Sequence, residues 1–556
     1  MAMPMADDAP PPSAAPNTTT TTPVRLERRS VLTRRLAAVL RPGLAVAGGA
    51  ATAMAVLTGW WMLAPLGAGA VAGALHALTP ARRFAVGFLA GGTHLAASSL
   101  WVGAISLPGA VALVALQAAG WGVAGLAVTR RTRWPWLLAV ALGLSEWARG
   151  WWPLGGYPLS QLWLSQADGP FAALAPLLGP IGITTLVVLT GAAIAAVLTP
   201  SGPRGAPVTV LLVVVAFLAL AGSAQPSAPL DRLEVAAVQG GGPRGIPAVR
   251  SDPAPLFERQ IALTETLSPE VDLVVWPEGA LGVNGQLTAA DLQPLVELAA
   301  GFDGILVVGV TERFDVVEGA GSFTNAAVAI DAEGLVDRYD KRIPVPFGER
   351  VPARRLVERV ADLSLVPRDM LPGERPPVVR TDLATIGVAI SYENLFARVA
   401  REAVGQGAQL LVVPTNASSY VTDEIPVQQL AAARLRAREA GRDLVVVGPT
   451  GPTALIRADG TVVGEAPLDR SELLRGQLAT RTGLTFYARV GDVLTVAVGG
   501  ALLAIPLVAN GRAYLRRSRG GGRSPSSRPD DRRSQSRSWT APPKRCPPTP
   551  TSSTPP

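Results

Sequence analysis

The 556-residue chain has one cysteine, Cys546, and two histidines, His76 and His94. A lone cysteine forms no intramolecular disulfide, so cysteine usage says nothing about compartment. Both histidines lie in apolar segments, and Cys546 lies in a Pro/Ser/Arg-rich tail. Residues 231–485, which have the mixed charge of a soluble domain, therefore contain neither residue type. That excludes a Ser-His-Asp triad, a Cys-His pair and the usual zinc sites in that domain. Metal and cofactor are both expected to be absent, and chemistry there falls to Glu, Asp, Lys, Ser, Thr or Tyr. Charge is the second scarcity. Residues 36–222 carry almost none outside short clusters, which is the composition of a membrane domain. The net charge of +8 comes mostly from the termini, so it does not indicate nucleic-acid binding. Basic ends on an apolar chain set topology.

What the chain has in abundance is apolar sequence: 48% of residues are hydrophobic, and mean hydropathy is +0.30. Seven apolar segments fall at about 36–57, 64–78, 83–104, 107–128, 134–150, 170–198 and 206–222. The second is short for a ~30 Å hydrocarbon core. The first is not expected to be a cleaved signal peptide, because six more follow it. "TPARR" (79–83) and "TRRTRW" (129–134) are basic loops, and Arg204 sits in the sixth. "TGWWMLAP" and the Trp/Tyr-rich stretch after Trp151 have no Lys or Arg, and the latter suggests an entrance at lipid level. Positive loops stay cytoplasmic, so the N-terminus is expected inside and residue 223 onward outside. An eighth span at about 493–510 returns the chain to a basic cytoplasmic flank. The expected organisation is a disordered basic N-terminus (1–35), a transmembrane domain of seven helices (36–222), an exported domain (231–485), a C-terminal span (493–510) and a disordered basic tail (511–556). The expected location is the cell membrane, multi-pass.

The exported domain alternates strand-like runs with helical ones. Strands are predicted at 233–239, 271–277, 304–311, 324–330, 385–390, 408–414, 443–448 and 453–458, and helices at about 255–267, 288–301, 394–406 and 424–441. That alternation argues for a layered α/β fold. Three strand ends carry polar residues: "LVVWPEGA" has Glu278, "DRYDKRIPVPFGERVP" has Lys341 and Glu349, and "GVAISYEN" has Ser391. A carboxylate, a lysine and a small hydroxyl can supply base, oxyanion stabiliser and nucleophile. The bland alternatives are solvated loop residues for Glu278 and Lys341, and a helix cap for Ser391.

The order W-P-E, then D-K-R with V-P-F-G-E, then a nucleophile position followed by Y-E, resembles the nitrilase superfamily. With apolar spans before and after, the chain resembles its membrane-bound branch, the apolipoprotein N-acyltransferase family. "SEWARGWWPLGGYPLSQLWLSQADGPFAALAPLLGPIGI" (145–183) is similar to the family's E-x-x-R-G segment and following loop. "TNASSY…QQLAAARLRAREAGR" (415–442) is similar to its S-N-x-x-W-F and Q-H-x-x-x-A-R-x-R-A-x-E-x-G-R stretches, and "GPTGPTALIRADG" (448–460) to its G-x-T-A segment. The resemblance covers roughly 35 to 510. It implies a helical membrane bundle of about eight spans plus an extracytoplasmic nitrilase-like αββα sandwich. It also implies transfer of an acyl chain from a phospholipid to the N-terminal α-amine of an S-diacylglyceryl-cysteine lipoprotein, through an acyl-enzyme. By the resemblance, Glu278 is the base, Lys341 stabilises the oxyanion and Ser391 stands at the nucleophile position; Glu349, Tyr392 and Glu393 support them. The family has cysteine where this chain has Ser391, histidine where it has Gln429, and Asp-x-Trp-Phe-Gly where it has Ala417, Ser418, Ser419, Tyr420 and Val421. Three readings of Ser391 stay open: a slower nucleophile, a relic in an inactive relative, or a cap. An inactive relative would bind lipid or lipoprotein, or scaffold a partner such as a glycosyltransferase. A soluble-type amidase tethered to the membrane is a third possibility.

Overall fold

The computed structural model describes residues 23–128, 136–199, 205–221, 226–245, 254–302, 304–314, 321–359, 363, 364, 366–420 and 422–505. The basic loop 129–134, Arg204, residues 1–22, the end of the predicted eighth span and the tail from 511 lie outside them.

Helices occupy each of the seven apolar segments: α1 (Pro23–Thr58), α2 (Leu63–Leu75), α3 (Pro80–Ser98) with α4 (Leu100–Ile105), α5 (Leu107–Leu126), α6 (Trp136–Arg149), α7 (Ala175–Leu198) and α8 (Gly205–Ala221). Helix α1 begins earlier than composition suggests and takes in residues 23–35, which were expected to be disordered. The flank "RLERRSVLTRRLAAVL" is rich in Leu, Arg and Ala and holds no Gly, so it propagates a helix as readily as the apolar run behind it. Among the described residues, three helices are long and apolar enough to cross a membrane: Leu40–Thr58, Leu107–Leu126 and Pro170–Leu198. Leu63–Leu75, Gly205–Ala219 and Val493–Ile505 are apolar but shorter. Leu107, Val111 and Val123 of α5 stand exposed, as lipid-facing side chains do. Polar groups turn inward and pair. His94 contacts Thr52 Oγ1 at 3.0 Å and the Ser160 carbonyl at 2.8 Å. Glu146 accepts the Leu162 amide and the Thr184 hydroxyl.

The second half is a two-sheet sandwich. Its first sheet contains β1 (Pro229–Gln239), β2 (Leu273–Val275), β3 (Leu281–Asn284), β4 (Ile305–Phe314), β5 (Gly321–Asp331), β6 (Gly334–Asp340) and β7 (Arg368–Met370). Its second contains β8 (Val378–Arg380), β9 (Thr385–Val388), β10 (Leu410–Pro414), β11 (Leu444–Val447), β12 (Thr453–Ile456) and β13 (Val462–Ala466), before β14 (Glu472–Arg481) returns to pair with β1. The sheet orders are β14-β1-β2-β4-β5-β6, with β3 on β4 and β7 on β5, and β13-β12-β11-β10-β9-β8. Val235, Leu273 and Val307 of one sheet pack against Ile386, Leu410 and Val445 of the other. Helices Ala254–Thr264 and Ala289–Ala299 cover the outer face of the first sheet, and Ala397–Gly405 and Glu424–Ala440 that of the second. The layers read αββα. Strands β1, β2 and β4 run parallel, as do β9, β10 and β11, so each sheet gathers several carboxyl ends on one rim.

The sandwich does not hang from a tether. One apolar core contains Trp163, Phe171 and Val187 of the helical half together with Phe396, Val399 and Ala432 of the sandwich. Gly179 marks a close contact between the halves. It interrupts α7 with φ +61°, and a Cβ there would overlap the Tyr487 ring. Gly179→Ala combines left-handed strain with a clash. It is expected to cost about 2 kcal/mol or more, read as a lower melting temperature in detergent.

Candidate active site

The base candidate follows a strand that cannot slip. Trp276, fully buried beyond β2, donates from its backbone to the Val307 carbonyl at 2.8 Å and from its indole to Thr264 at 3.0 Å. Two residues on, Glu278 turns inward. Lys341 leaves the end of β6 with its amide on the Asn325 carbonyl at 2.8 Å, and its side chain is fully buried. Its ammonium donates to Glu278 Oε1 at 3.0 Å and to Glu349 Oε1 at 2.5 Å. The other Glu349 oxygen accepts the Val345 amide at 2.8 Å, so the "PVPFGE" loop folds back on its own glutamate.

Burial pushes the Glu278 pKa up; Lys341 works against that and Glu349 adds to it. For Lys341, burial opposes the charge, but Glu278 and Glu349 outweigh it and the pKa rises above the usual lysine value. The lysine therefore stays charged, and Glu278 is left more basic than an ordinary carboxylate. A base acts only when deprotonated. The acid limb of the rate–pH profile is thus expected above the usual glutamate pKa of ~4.3, with the rate falling as pH drops through it. Glu278→Gln removes that limb along with most of the rate.

Ser391 sits beyond β9 as the first residue of a 3₁₀ turn, Ser391–Leu395, with φ +53°. The capping position falls to Ile390, which answers the cap alternative. A non-glycine residue held left-handed costs free energy, and such strain clusters at functional sites. The Ser391 hydroxyl accepts from Thr415 Oγ1 at 3.3 Å, and it opposes the burial-driven rise of the Glu278 pKa. Glu393 braces this turn. Its buried carboxylate accepts the Ile390 amide at 2.9 Å, the Arg342 amide at 2.8 Å, the Ile343 amide at 3.1 Å and the Tyr339 hydroxyl at 2.9 Å. It thereby ties the residue before Ser391 to the residues after Lys341. Tyr392 donates to the Gly156 carbonyl at 2.9 Å, and Arg398 to the Gly150 carbonyl at 2.7 Å, gripping the loop that follows α6.

All six residues singled out in the sequence thus fall on one rim of the sandwich. Beside them is a polar cavity of about 240 Å³ lined by Glu278, Asn325, Glu349, Asn416, Ser418 and Ser419 among others. Sequence reasoning missed Asn325, whose amide donates to Glu278 Oε1 at 2.6 Å, and also Thr415 and Gln429. Asn325 could have been found as the one amide inside the apolar run "TNAAVAI". Lysine scarcity is another unused signal: the chain has two, Lys341 and Lys544, and every other fixed cation is arginine. A compact ammonium buried between two carboxylates cannot be exchanged for a guanidinium without repacking.

Two-sheet layering with a Glu–Lys pair and a hydroxyl on one rim defines a carbon–nitrogen hydrolase domain. The family model described as carbon-nitrogen hydrolase matches residues 234–484, and the apolipoprotein N-acyltransferase N-terminal domain matches 47–193. The chain belongs to the apolipoprotein N-acyltransferase family, a family of acyltransferase enzymes. It is 28% identical to the apolipoprotein N-acyltransferase of Photobacterium profundum, over 80% of this chain and 90% of the relative. It is 30% identical to that of Mycolicibacterium smegmatis, over 50% and 49%. Among solved structures, Saccharomyces cerevisiae Nit3 of the nitrilase superfamily is 19% identical, covering 49% of this chain and 97% of its own, with a TM-score of 0.35.

Proposed function

We propose that the chain N-acylates lipoproteins at the cell membrane, with Ser391 as the nucleophile. The observation that supports this most is the convergence of Glu278, Lys341 and Ser391 in a domain sharing its core with apolar helices. In the first half-reaction Ser391 Oγ attacks the ester carbonyl of a phospholipid acyl chain, and Glu278 takes the hydroxyl proton. The Lys341 ammonium stabilises the oxyanion; the lysophospholipid alkoxide leaves and recovers the proton from Glu278. In the second, the α-amine of an S-diacylglyceryl-cysteine attacks the Ser391 ester and gives its proton to Glu278. The amide forms, and the Ser391 oxygen leaves and is reprotonated. Splitting one transfer into two is what a covalent intermediate achieves. Eight spans, with the sandwich facing outside the cytoplasm, fit the distribution of basic loops.

The test is direct. Purified protein is incubated with a phospholipid labelled in its acyl chain. Wild type is expected to carry the label on the Ser391 peptide and Ser391→Ala none. Equal labelling of both, or of neither, overturns the reading. A second reading keeps the fold without turnover, as a protein that binds lipid or lipoprotein or scaffolds a glycosyltransferase. The hydroxyl at 391 favours it, because a carboxylate is a weak base for an alcohol.

A further inference from the structure

Ser391, Thr415 and Gln429 are joined by hydrogen bonds. Thr415 Oγ1 lies 2.9 Å from Gln429 Oε1 and 3.3 Å from Ser391 Oγ. A hydroxyl has one proton to give. Thr415 is the donor in both contacts and shares that proton; given to Ser391 Oγ, it fills a serine lone pair and leaves the serine's own proton free for Glu278. Relative exposures are 0% for Thr415, 4% for Gln429 and 7% for Ser391, so water competes little for these bonds. The Thr415 carbonyl accepts the Glu278 amide at 3.3 Å, so one residue touches both the nucleophile and the backbone of its base. The amide partner is itself anchored. Asn394 donates to the Gln429 carbonyl at 2.9 Å, and neighbouring Gln428 accepts the Ser160 amide at 2.6 Å from the helical half.

We propose that Thr415 and Gln429 are positioning residues forming an uncharged string that orients the Ser391 hydroxyl toward Glu278. This rests on the reading of Ser391 as nucleophile. A thiol loses its proton before attack, so a nearby imidazole can respond to the thiolate charge. A serine keeps its proton until attack and needs orientation rather than charge. A glutamine amide is neutral at every working pH and bonds a hydroxyl as donor or acceptor. No atom of the string is consumed in the reaction; the Ser391 proton passes to Glu278.

Acylation from labelled phospholipid is measured for Thr415→Val, Thr415→Ser, Gln429→Leu and the double variant Thr415→Val/Gln429→Leu, with Ser391 and with Ser391→Cys. With Ser391, Thr415→Val and Gln429→Leu are each expected to lose about tenfold or more in kcat with little change in KM, because orientation acts on the step and not on binding. The double variant is expected to be no slower than the slower single one, and Thr415→Ser to recover most of the rate. The losses are expected to shrink in the Ser391→Cys background. Additive losses, equal losses in both backgrounds, or wild-type rates in Thr415→Val overturn the string. Labelling of Ser391→Ala, or none of wild type, overturns the nucleophile reading beneath it. An inert Ser391→Ala beside an unimpaired Thr415→Val overturns the string alone.

Discussion

Ser391→Cys is expected to raise acyl transfer by at least about tenfold, a barrier change of ~1.4 kcal/mol. A free thiol has a pKa near ~8.5, which a cation or base can bring toward neutrality, whereas an alcohol must be deprotonated as it attacks. Burial makes Glu278 more basic than a free carboxylate, but among the described residues of the sandwich there is no imidazole to assist it. The product of the first half-reaction also changes. A thioester acylates an amine more readily than the oxygen ester on Ser391 does, so both half-reactions gain. The swap adds little volume beside Thr415 and leaves Glu278, Lys341 and Glu349 as they are. Its readout is the rate of acyl-enzyme formation and, separately, the rate of its discharge by an amine. A slower Ser391→Cys would mean that the surroundings are tuned to the hydroxyl beyond what a thiol tolerates.

Lys341→Met is expected to lose about 10²–10³ in kcat, the usual cost of removing one oxyanion donor. It is also expected to destabilise the fold by about 3–5 kcal/mol, because Glu278 and Glu349 are left in a buried site without their cation. The two effects separate experimentally. Adding Glu278→Gln removes one of the stranded charges and is expected to restore much of the melting temperature, with activity still lost. If the double variant melts no higher than Lys341→Met, the ion cluster is not what stabilises this rim.

The fold was legible where strands are apolar and short. "LVVWP", "GILVVGVT" and "AQLLVVP" are buried in parallel sheets and read as continuous hydrophobic runs, and they appear as β2, β4 and β10. Six strands were missed: β3, β7 and β8 are only three or four residues long, and the others are half-exposed, β6 reading "GLVDRYD", β13 "VVGEA" and β14 "ELLRGQLATR", whose charges break the run. Missing β6 hid why Lys341 points inward, since its strand end and the Asn325 carbonyl direct it there. Glu278 and Ser391 were readable because each breaks an apolar pattern at a strand exit, while Lys341 follows the charged run "DRYD" and takes its meaning from the resemblance. Thr415 and Gln429 were not readable, because a hydroxyl after a strand and an amide on a helix are ordinary, and only their meeting beside Ser391 gives them a part. Glu393 was readable only through resemblance; its four donors come from segments about 50 residues apart.

The most direct test of Ser391 as the nucleophile of lipoprotein N-acylation is the mass of lipoprotein N-termini. It is measured in cells depleted of their own enzyme and supplied with wild type, Ser391→Ala or Ser391→Cys. The expected result is N-acylated termini with wild type, more with Ser391→Cys, and only diacylated termini with Ser391→Ala. Diacylated termini with wild type and Ser391→Ala alike, or N-acylation that survives Ser391→Ala, would contradict it.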